Sequence, residues 1–326
     1  MSDFNYTLID KAYKRISSQV LKTPLVSSEY INNLLDARVF FKLENLQWTG
    51  SFKLRGATNK IIQLNLNQKK NGVVAYSSGN HAQAVAYASK IIGINAKIIM
   101  PESAPKIKIE NTKKYGAEVI LYNTFYEDRE EIGSKIARDE DRILIKPYDD
   151  LDIIAGQGTS GKEIAEELHY FNISPDIYLC CCGGGGLVAG TSTYLKHSFP
   201  NIKCYAVEPD NFDDTKISLE ENSIRSVNKK LSSICDALLA RQPGDITFSI
   251  NKNILTKGLV VSDEEVKKTI IQLAENLKLV VEPGGAVAAT ALLNKKIETK
   301  NKTIIVMISG GNIDNELFSK IVGELK

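Results

Sequence analysis

The chain has 326 residues, 43% of them apolar and 25% charged, with 41 Lys and Arg against 39 Asp and Glu for a formal net charge of +2. That length exceeds one small core and implies two lobes or one large α/β domain. The charge is balanced and dispersed, which excludes the basic face of a nucleic-acid binder; no stretch of eighteen uninterrupted apolar residues offers a membrane span, and small-molecule chemistry is left.

MSDFNYTLIDKAYKR, at the start, has no apolar stretch behind a basic opening, so a soluble cytoplasmic protein is expected. Five cysteines, three of them adjacent, suit a reducing compartment better than a disulfide framework. VFFKLE (39–44) is a strand candidate, and after it comes Thr49-Gly50-Ser51-Phe52-Lys53-Leu54-Arg55-Gly56-Ala57. Lys53, between apolar neighbours and close to Arg55, is a candidate Schiff-base lysine, because desolvation and a nearby cation both lower an ammonium's pKa. A Lys-x-Arg pair on a solvated surface has the same pattern.

GVVAYS (72–77) is the next strand, running into Ser77-Ser78-Gly79-Asn80-His81 and a helix over 81–93. AKIIM (96–100), AEVILY (117–122), a helix over 130–140 and RILIK (142–146) complete a βαβαβαβ pattern, so 72–147 is expected to be a small domain inserted into a large one made of 1–71 and 148–326. Ser160 with Glu163 is a capping box that predicts a helix start. DIYLCCC (176–182) is a strand running into Gly183, Gly184, Gly185 and Gly186; IKCYAVE (202–208) follows. Ser262 with Glu265 opens a helix over 263–277, and KTIIVMIS (302–309) ends in Ser309-Gly310-Gly311-Asn312.

Three strand ends therefore lead into Gly-, Ser- or Asn-rich turns. At the carboxyl ends of strands such turns let backbone N–H groups approach an anion, which predicts a multiply charged ligand. Adjacent strand residues face opposite ways, so Cys180, Cys181 and Cys182 do not converge on a metal and are expected to pack in the core. His81, His169 and His197 lack metal-ligand companion spacing. A dinucleotide site stays open on pattern alone, since Glu208 ends the strand after the glycines.

S-F-K-L-R-G, S-S-G-N-H-A-Q, G-G-G-G-L-V-A-G and S-G-G-N, in this order, resemble the pyridoxal-phosphate enzymes of the serine racemase and serine/threonine dehydratase family. The likeness runs from LKTPLVSS (21–28) to SGGNID (309–314). It implies the two-domain α/β fold of the tryptophan-synthase-β type, with Lys53 as the Schiff-base lysine preceded by Phe52. It further implies Gly183 to Gly186 around the phosphate, Asn80 at the pyridine 3-hydroxyl and Ser309 at the pyridine nitrogen. A neutral partner at that nitrogen weakens the ring as an electron sink and suits β-elimination. The substrate carboxylate would be received by Ser77, Ser78, Gly79, Asn80 and His81.

Ser78 resembles the racemase-like branch, where its hydroxyl would face Lys53 across the ring and serve as a second acid–base group. V-E-P-D-N-F-D-D (207–214) resembles that branch too and implies Mg²⁺ or Ca²⁺ held by Glu208, the Phe212 carbonyl and Asp214. Arg129 would pair with a second substrate carboxylate, such as hydroxyaspartate carries. The expected activity is racemisation of serine with loss of water from serine or threonine. The alternatives are a hydroxyaspartate or threonine ammonia-lyase without racemisation and, from another class, a non-catalytic cofactor carrier. The chain ends soon after SGGNID, so isoleucine feedback is not expected, and the Lys53 motif has Leu54 in place of the aspartate of the S-V-K-D-R motif of cysteine synthases. Relatives are commonly homodimers, and some bind a nucleotide effector, for which no independent phosphate loop is seen here.

Overall fold

The computed structural model describes residues 4–77, 79–227 and 232–323. Its first half runs α1 (Tyr6–Ile16), β1 (Leu25–Val26), α2 (Glu29–Leu35), β2 (Arg38–Leu43), α3 (Lys53–Ile62), α4 (Leu66–Asn71), β3 (Val73–Tyr76), α5 (Asn80–Ile92), β4 (Ala96–Pro101), α6 (Lys106–Lys114), β5 (Glu118–Tyr122), α7 (Arg129–Asp139) and β6 (Ile143–Leu144). The second half runs α8 (Leu151–Tyr170), β7 (Ile177–Cys181), α9 (Gly186–Ser198), β8 (Lys203–Pro209), α10 (Asp214–Glu220), α11 (Asp245–Ile254), β9 (Leu255–Val261), α12 (Asp263–Leu277), α13 (Pro283–Leu293), β10 (Thr303–Ile308) and α14 (Asn315–Gly323).

Two sheets result. The larger has the order β1-β2-β10-β7-β8-β9 and is parallel except where β1 pairs with β2; the smaller, β5-β4-β3-β6, is wholly parallel. Strands buried on both faces read as continuous apolar runs rather than alternations. Every residue of β3 and of β7 is buried, because helices cover both sides. No helix among the described residues is long and apolar enough to cross a membrane.

One expected helix start is corrected. Ser160 and Glu163 lie inside α8, which opens nine residues earlier, where the Asp150 carboxylate accepts from the N–H groups of Asp152 and Ile153. The Ser160 hydroxyl donates to the Gln157 carbonyl, and Glu163 is drawn into a buried ion cluster. Strands β1 and β9 were not foreseen. At Ser262 and Glu265 the reciprocal capping box does form.

Helix α8 is gripped by α3 and α9 through glycines. A Cβ on Gly156 of α8 would lie 2.6 Å from the Cα of Gly56 in α3, and one on Gly190 of α9 would lie 2.7 Å from the nitrogen of Gly158. Those separations are shorter than any side-chain carbon tolerates, so the helices meet main chain to main chain. Lys53 begins α3 and the glycine run begins α9, so this triple contact fixes their spacing.

Candidate active site

The turns after β3, β7 and β10 lie at the carboxyl ends of parallel strands. Gly185 caps α9 in the left-handed region with φ +89°, which only glycine adopts without strain. The loop's carbonyls are engaged: the Thr247 hydroxyl donates to Gly184 O at 2.7 Å and the Asn251 amide to Gly185 O at 3.3 Å. Its N–H groups are not. Among the described residues, those of Gly183 to Gly186 meet no protein acceptor, although Gly184, Gly185 and Gly186 are buried. Buried donors left open at a helix N-terminus form an anion cradle. The Tyr148 ring lies over it, so close that a Cβ on Gly184 would enter the ring.

The turn after β3 repeats the arrangement. Gly79 caps α5, with its N–H donated to the Ser77 hydroxyl at 3.2 Å, and Asn80 to Ala82 present first-turn N–H groups without a protein acceptor among the described residues. Ser78 lies outside the described residues. His81 is buried, with Nε2 2.9 Å from the Ile145 carbonyl; burial, reinforced by Lys53, pushes its pKa down to about 3. It is therefore a neutral wall of the site and not a cationic anion-binder.

Lys53 points between these loops and donates to the Pro147 carbonyl at 2.8 Å. Burial lowers its ammonium to about pKa 8, opposed by Cys181. The expectation that a nearby cation would do so is corrected by Arg55, which is turned away and wholly spent. Its Nε and Nη2 reach both Glu44 oxygens at 2.8 Å, and Nη1 and Nη2 reach both Glu163 oxygens at 2.8 Å. Lys42 closes the cluster on Glu163 at 2.6 Å.

Asn80 is held from two sides. Its amide donates to the Glu282 carboxylate, and its oxygen accepts from Asn312 at 2.8 Å. Asn312 also donates to the Thr49 carbonyl at 2.9 Å, tying the turn after β10 to the segment before Lys53. Glu282 is buried; burial, with Asp236 adding, raises its pKa to about 7 against the pull of Lys108. Lys108, on α6, reaches Asp236 at 2.6 Å and Glu282 at 3.6 Å. Glu282, Lys108 and Tyr148 escaped sequence reasoning, for each acts across a long separation; the only local sign was Glu-Pro-Gly-Gly at 282–285, an acid placed at a helix N-terminus.

The three adjacent thiols meet different partners. Cys180 is core, Cys182 meets the Thr215 hydroxyl at 3.3 Å, and Cys181 donates to the Ser309 hydroxyl at 3.0 Å. Ser309, in turn, accepts the Phe52 N–H on its carbonyl at 3.1 Å.

A second cluster lies behind Cys182. Glu208 accepts from the N–H groups of Thr215 and Lys216, both at 2.8 Å, so it is not poised for a ribose as a dinucleotide site requires. Asp214 is buried, and neither of its carboxylate oxygens has a hydrogen-bond partner among the described residues. Burial raises both acids, Asp214 to about 8. Two buried carboxylates, with Asp214 adding to the rise at Glu208, are oxygen donors of the kind a hard divalent cation takes, although no cluster of three or more acidic, His or Cys side chains forms there among the described residues. Arg129 is exposed at the start of α7, with its guanidinium 5.5 Å from the Tyr76 ring centre. Asp128 before it is occupied in capping α7, and Arg129 forms no salt bridge among the described residues.

Comparison with known proteins gives the family. The family model for pyridoxal-phosphate dependent enzymes matches residues 16–310. The chain is 41% identical over 320 residues to a serine racemase of Schizosaccharomyces pombe, covering 98% of this chain and 97% of that protein. It is 40% identical over 311 residues to the L-threo-3-hydroxyaspartate ammonia-lyase of Saccharomyces cerevisiae, covering 95% and 94%. Among solved structures, maize serine racemase superposes with a TM-score of 0.92 at 34% identity, covering 99% of this chain and 98% of that one.

Proposed function

The chain belongs to the pyridoxal-phosphate dependent enzymes, and from that premise we propose that it racemises serine and also eliminates water from L-serine and L-threonine, giving pyruvate or 2-oxobutanoate with ammonia. One observation carries the reading: the low-pKa lysine Lys53 lies between two turns whose helix-opening N–H groups, Gly183 to Gly186 and Asn80 to Ala82, have no protein acceptor among the described residues. The residues fit the cofactor. Gly183 to Gly186 would hold its phosphate, Lys53 its aldehyde carbon with Phe52 alongside, Asn80 its 3-hydroxyl and Ser309 its ring nitrogen. When bound, it supplies an electron-withdrawing ring that stabilises negative charge at the substrate Cα.

The protein does the rest. The N–H groups opening α5 receive the substrate carboxylate, with Ser77, Gly79 and His81 shaping that turn. The Lys53 amine, neutral in a substantial fraction near pH 7.5, takes the Cα proton. For racemisation the Ser78 hydroxyl returns a proton on the opposite face; for elimination the β-hydroxyl departs as water, and hydrolysis of the remaining enamine releases the keto acid and ammonia.

Mg²⁺ or Ca²⁺ at Glu208, Phe212 and Asp214 would be structural, since this cluster is separated from Lys53 by the β7 end. The confinement of the smaller sheet to 73–144 supports the division into a 72–147 domain and a larger remainder. Exposed Tyr30, Leu34, Leu46 and Trp48 support self-association as a homodimer. The test of function is to incubate the protein with L-serine, pyridoxal phosphate and Mg²⁺ and quantify D-serine and pyruvate in one sample. Both products are expected; pyruvate without D-serine would remove the role given to Ser78.

A second reading has its own observation. Among the described residues Arg129 forms no salt bridge, and it stands over Tyr76, the residue before the substrate turn, which supports a dicarboxylic substrate such as 3-hydroxyaspartate. If so, Arg129→Ala lowers kcat/KM for hydroxyaspartate by about tenfold or more, the scale of a lost charge-assisted pair, and leaves serine turnover nearly unchanged. Equal losses on both substrates would sink this reading.

A further inference from the structure

We infer that Cys181 is a positioning residue for Ser309: its thiol donates to the Ser309 hydroxyl oxygen and thereby turns that hydroxyl's own proton toward the ring nitrogen of the cofactor. The inference rests on the function proposed above, and it concerns the one member of the cysteine run that faces the site.

The geometry is local and buried. Cys181 ends β7, and Ser309 follows β10, the neighbouring strand. Their side chains meet at 3.0 Å, with Cys181 3% and Ser309 4% exposed. Both border Lys53: the Ser309 carbonyl receives the Phe52 N–H, and Gly310 bridges to Ser51. Among the described residues the thiol is the only partner of the Ser309 hydroxyl, and it is a donor there. The hydroxyl therefore spends a lone pair on Cys181 and keeps its own proton without a protein acceptor.

A buried hydroxyl proton calls for an acceptor. An unprotonated pyridine nitrogen is one; a protonated nitrogen is a donor and would compete with the thiol for the oxygen. The pair therefore favours the unprotonated ring and the weaker electron sink. An apolar side chain at 181 would fill the same space and leave the Ser309 rotor free, so packing and positioning make different predictions.

The experiment uses the full-length chain in two arms. In the first, the S–H stretching band of Cys181, assigned by its loss in Cys181→Ala, is recorded by infrared spectroscopy with and without cofactor. Ser309→Ala should move it toward the frequency of a free thiol; an unmoved band overturns the hydrogen bond. The comparison with Ser309→Ala keeps Cys181 intact, and Cys181→Ala serves only to assign the band in cofactor-free protein.

In the second arm, the visible absorption of lysine-bound cofactor is titrated with pH in the wild type, Cys181→Ala, Cys181→Ser, Ser309→Ala and the double alanine variant. Cys181→Ala should shift the spectrum or its pH midpoint in the direction of Ser309→Ala, Cys181→Ser should restore it, and the double variant should add nothing further. Cofactor affinity should fall about threefold to tenfold in Cys181→Ala, the range of one neutral hydrogen bond. A wild-type absorption that Cys181→Ala leaves unchanged overturns the positioning role alone. A wild type with no such absorption, or one that Lys53→Ala retains, overturns the proposed function and this inference with it.

Discussion

Lys53 allows a quantitative forecast. Only the neutral amine attacks an aldehyde, so capture of pyridoxal phosphate by cofactor-free protein should follow the neutral fraction. With the ammonium near pKa 8, about a quarter of the molecules are competent at pH 7.5, against roughly one in a thousand for an ordinary lysine. Burial thus raises the capture rate about two-hundredfold. Stopped-flow absorbance at fixed cofactor concentration, from pH 6 to pH 10, reads this directly. The rate should climb about tenfold per pH unit below pH 8 and level off above it, and Lys53→Ala should abolish it. A rate still climbing tenfold per unit between pH 9 and pH 10 would refute the reasoning, because the lysine would then be ordinary. The same shift acts on stability. The folded pKa lies below the unfolded one, so the folded chain binds fewer protons between about pH 8 and 10.5. The cofactor-free protein is therefore penalised by at most about 3 kcal/mol below pH 8 and recovers it as the pH rises toward 10.5.

Other expectations concern the cradle, the buried charges and the cation. Gly184→Ala places a carbon in the Tyr148 ring and should weaken cofactor binding by about tenfold, as overpacking of 1–3 kcal/mol allows; a fluorescence titration giving the wild-type affinity would contradict that. Arg55→Met leaves Glu44 and Glu163 facing Lys42 alone and should cost about 3–5 kcal/mol in denaturant unfolding. A loss near zero would mean that the carboxylates bind protons or water freely. Millimolar Mg²⁺ or Ca²⁺ should raise the melting temperature of the wild type and leave Asp214→Asn unchanged; equal shifts in both would place the ion elsewhere.

Much of the fold was legible because its grammar is local. A buried parallel strand is a short apolar run, and a glycine-rich turn entering a helix follows within a few residues, as at 72–81 and 176–190. Alternation along a strand correctly separated Cys180, Cys181 and Cys182, yet it could not say which neighbour each would meet. Ser309 lies 128 positions from Cys181 and is brought there only by the order β10-β7. The Arg55 cluster was opaque for the same reason: Glu163 has the spacing of a helix cap and is claimed instead by a guanidinium 108 positions away. Local pattern and tertiary demand competed for one residue, and desolvated charge won. Glu282 and Lys108 carried no local mark of their meeting beneath Asn80.

The glycine contacts that clamp α8 between α3 and α9 bear on what this scaffold can become. Sliding of packed helices requires side chains that re-interdigitate, and here main chain touches main chain, so any motion must pivot elsewhere. The lysine and the glycine cradle thus sit on a rigid ruler that admits almost no substitution, whereas Arg129, Tyr148 and the turn after β3 ride on replaceable side chains and connecting segments. Variation should therefore exchange one amino-acid substrate for another far more readily than it exchanges the cofactor.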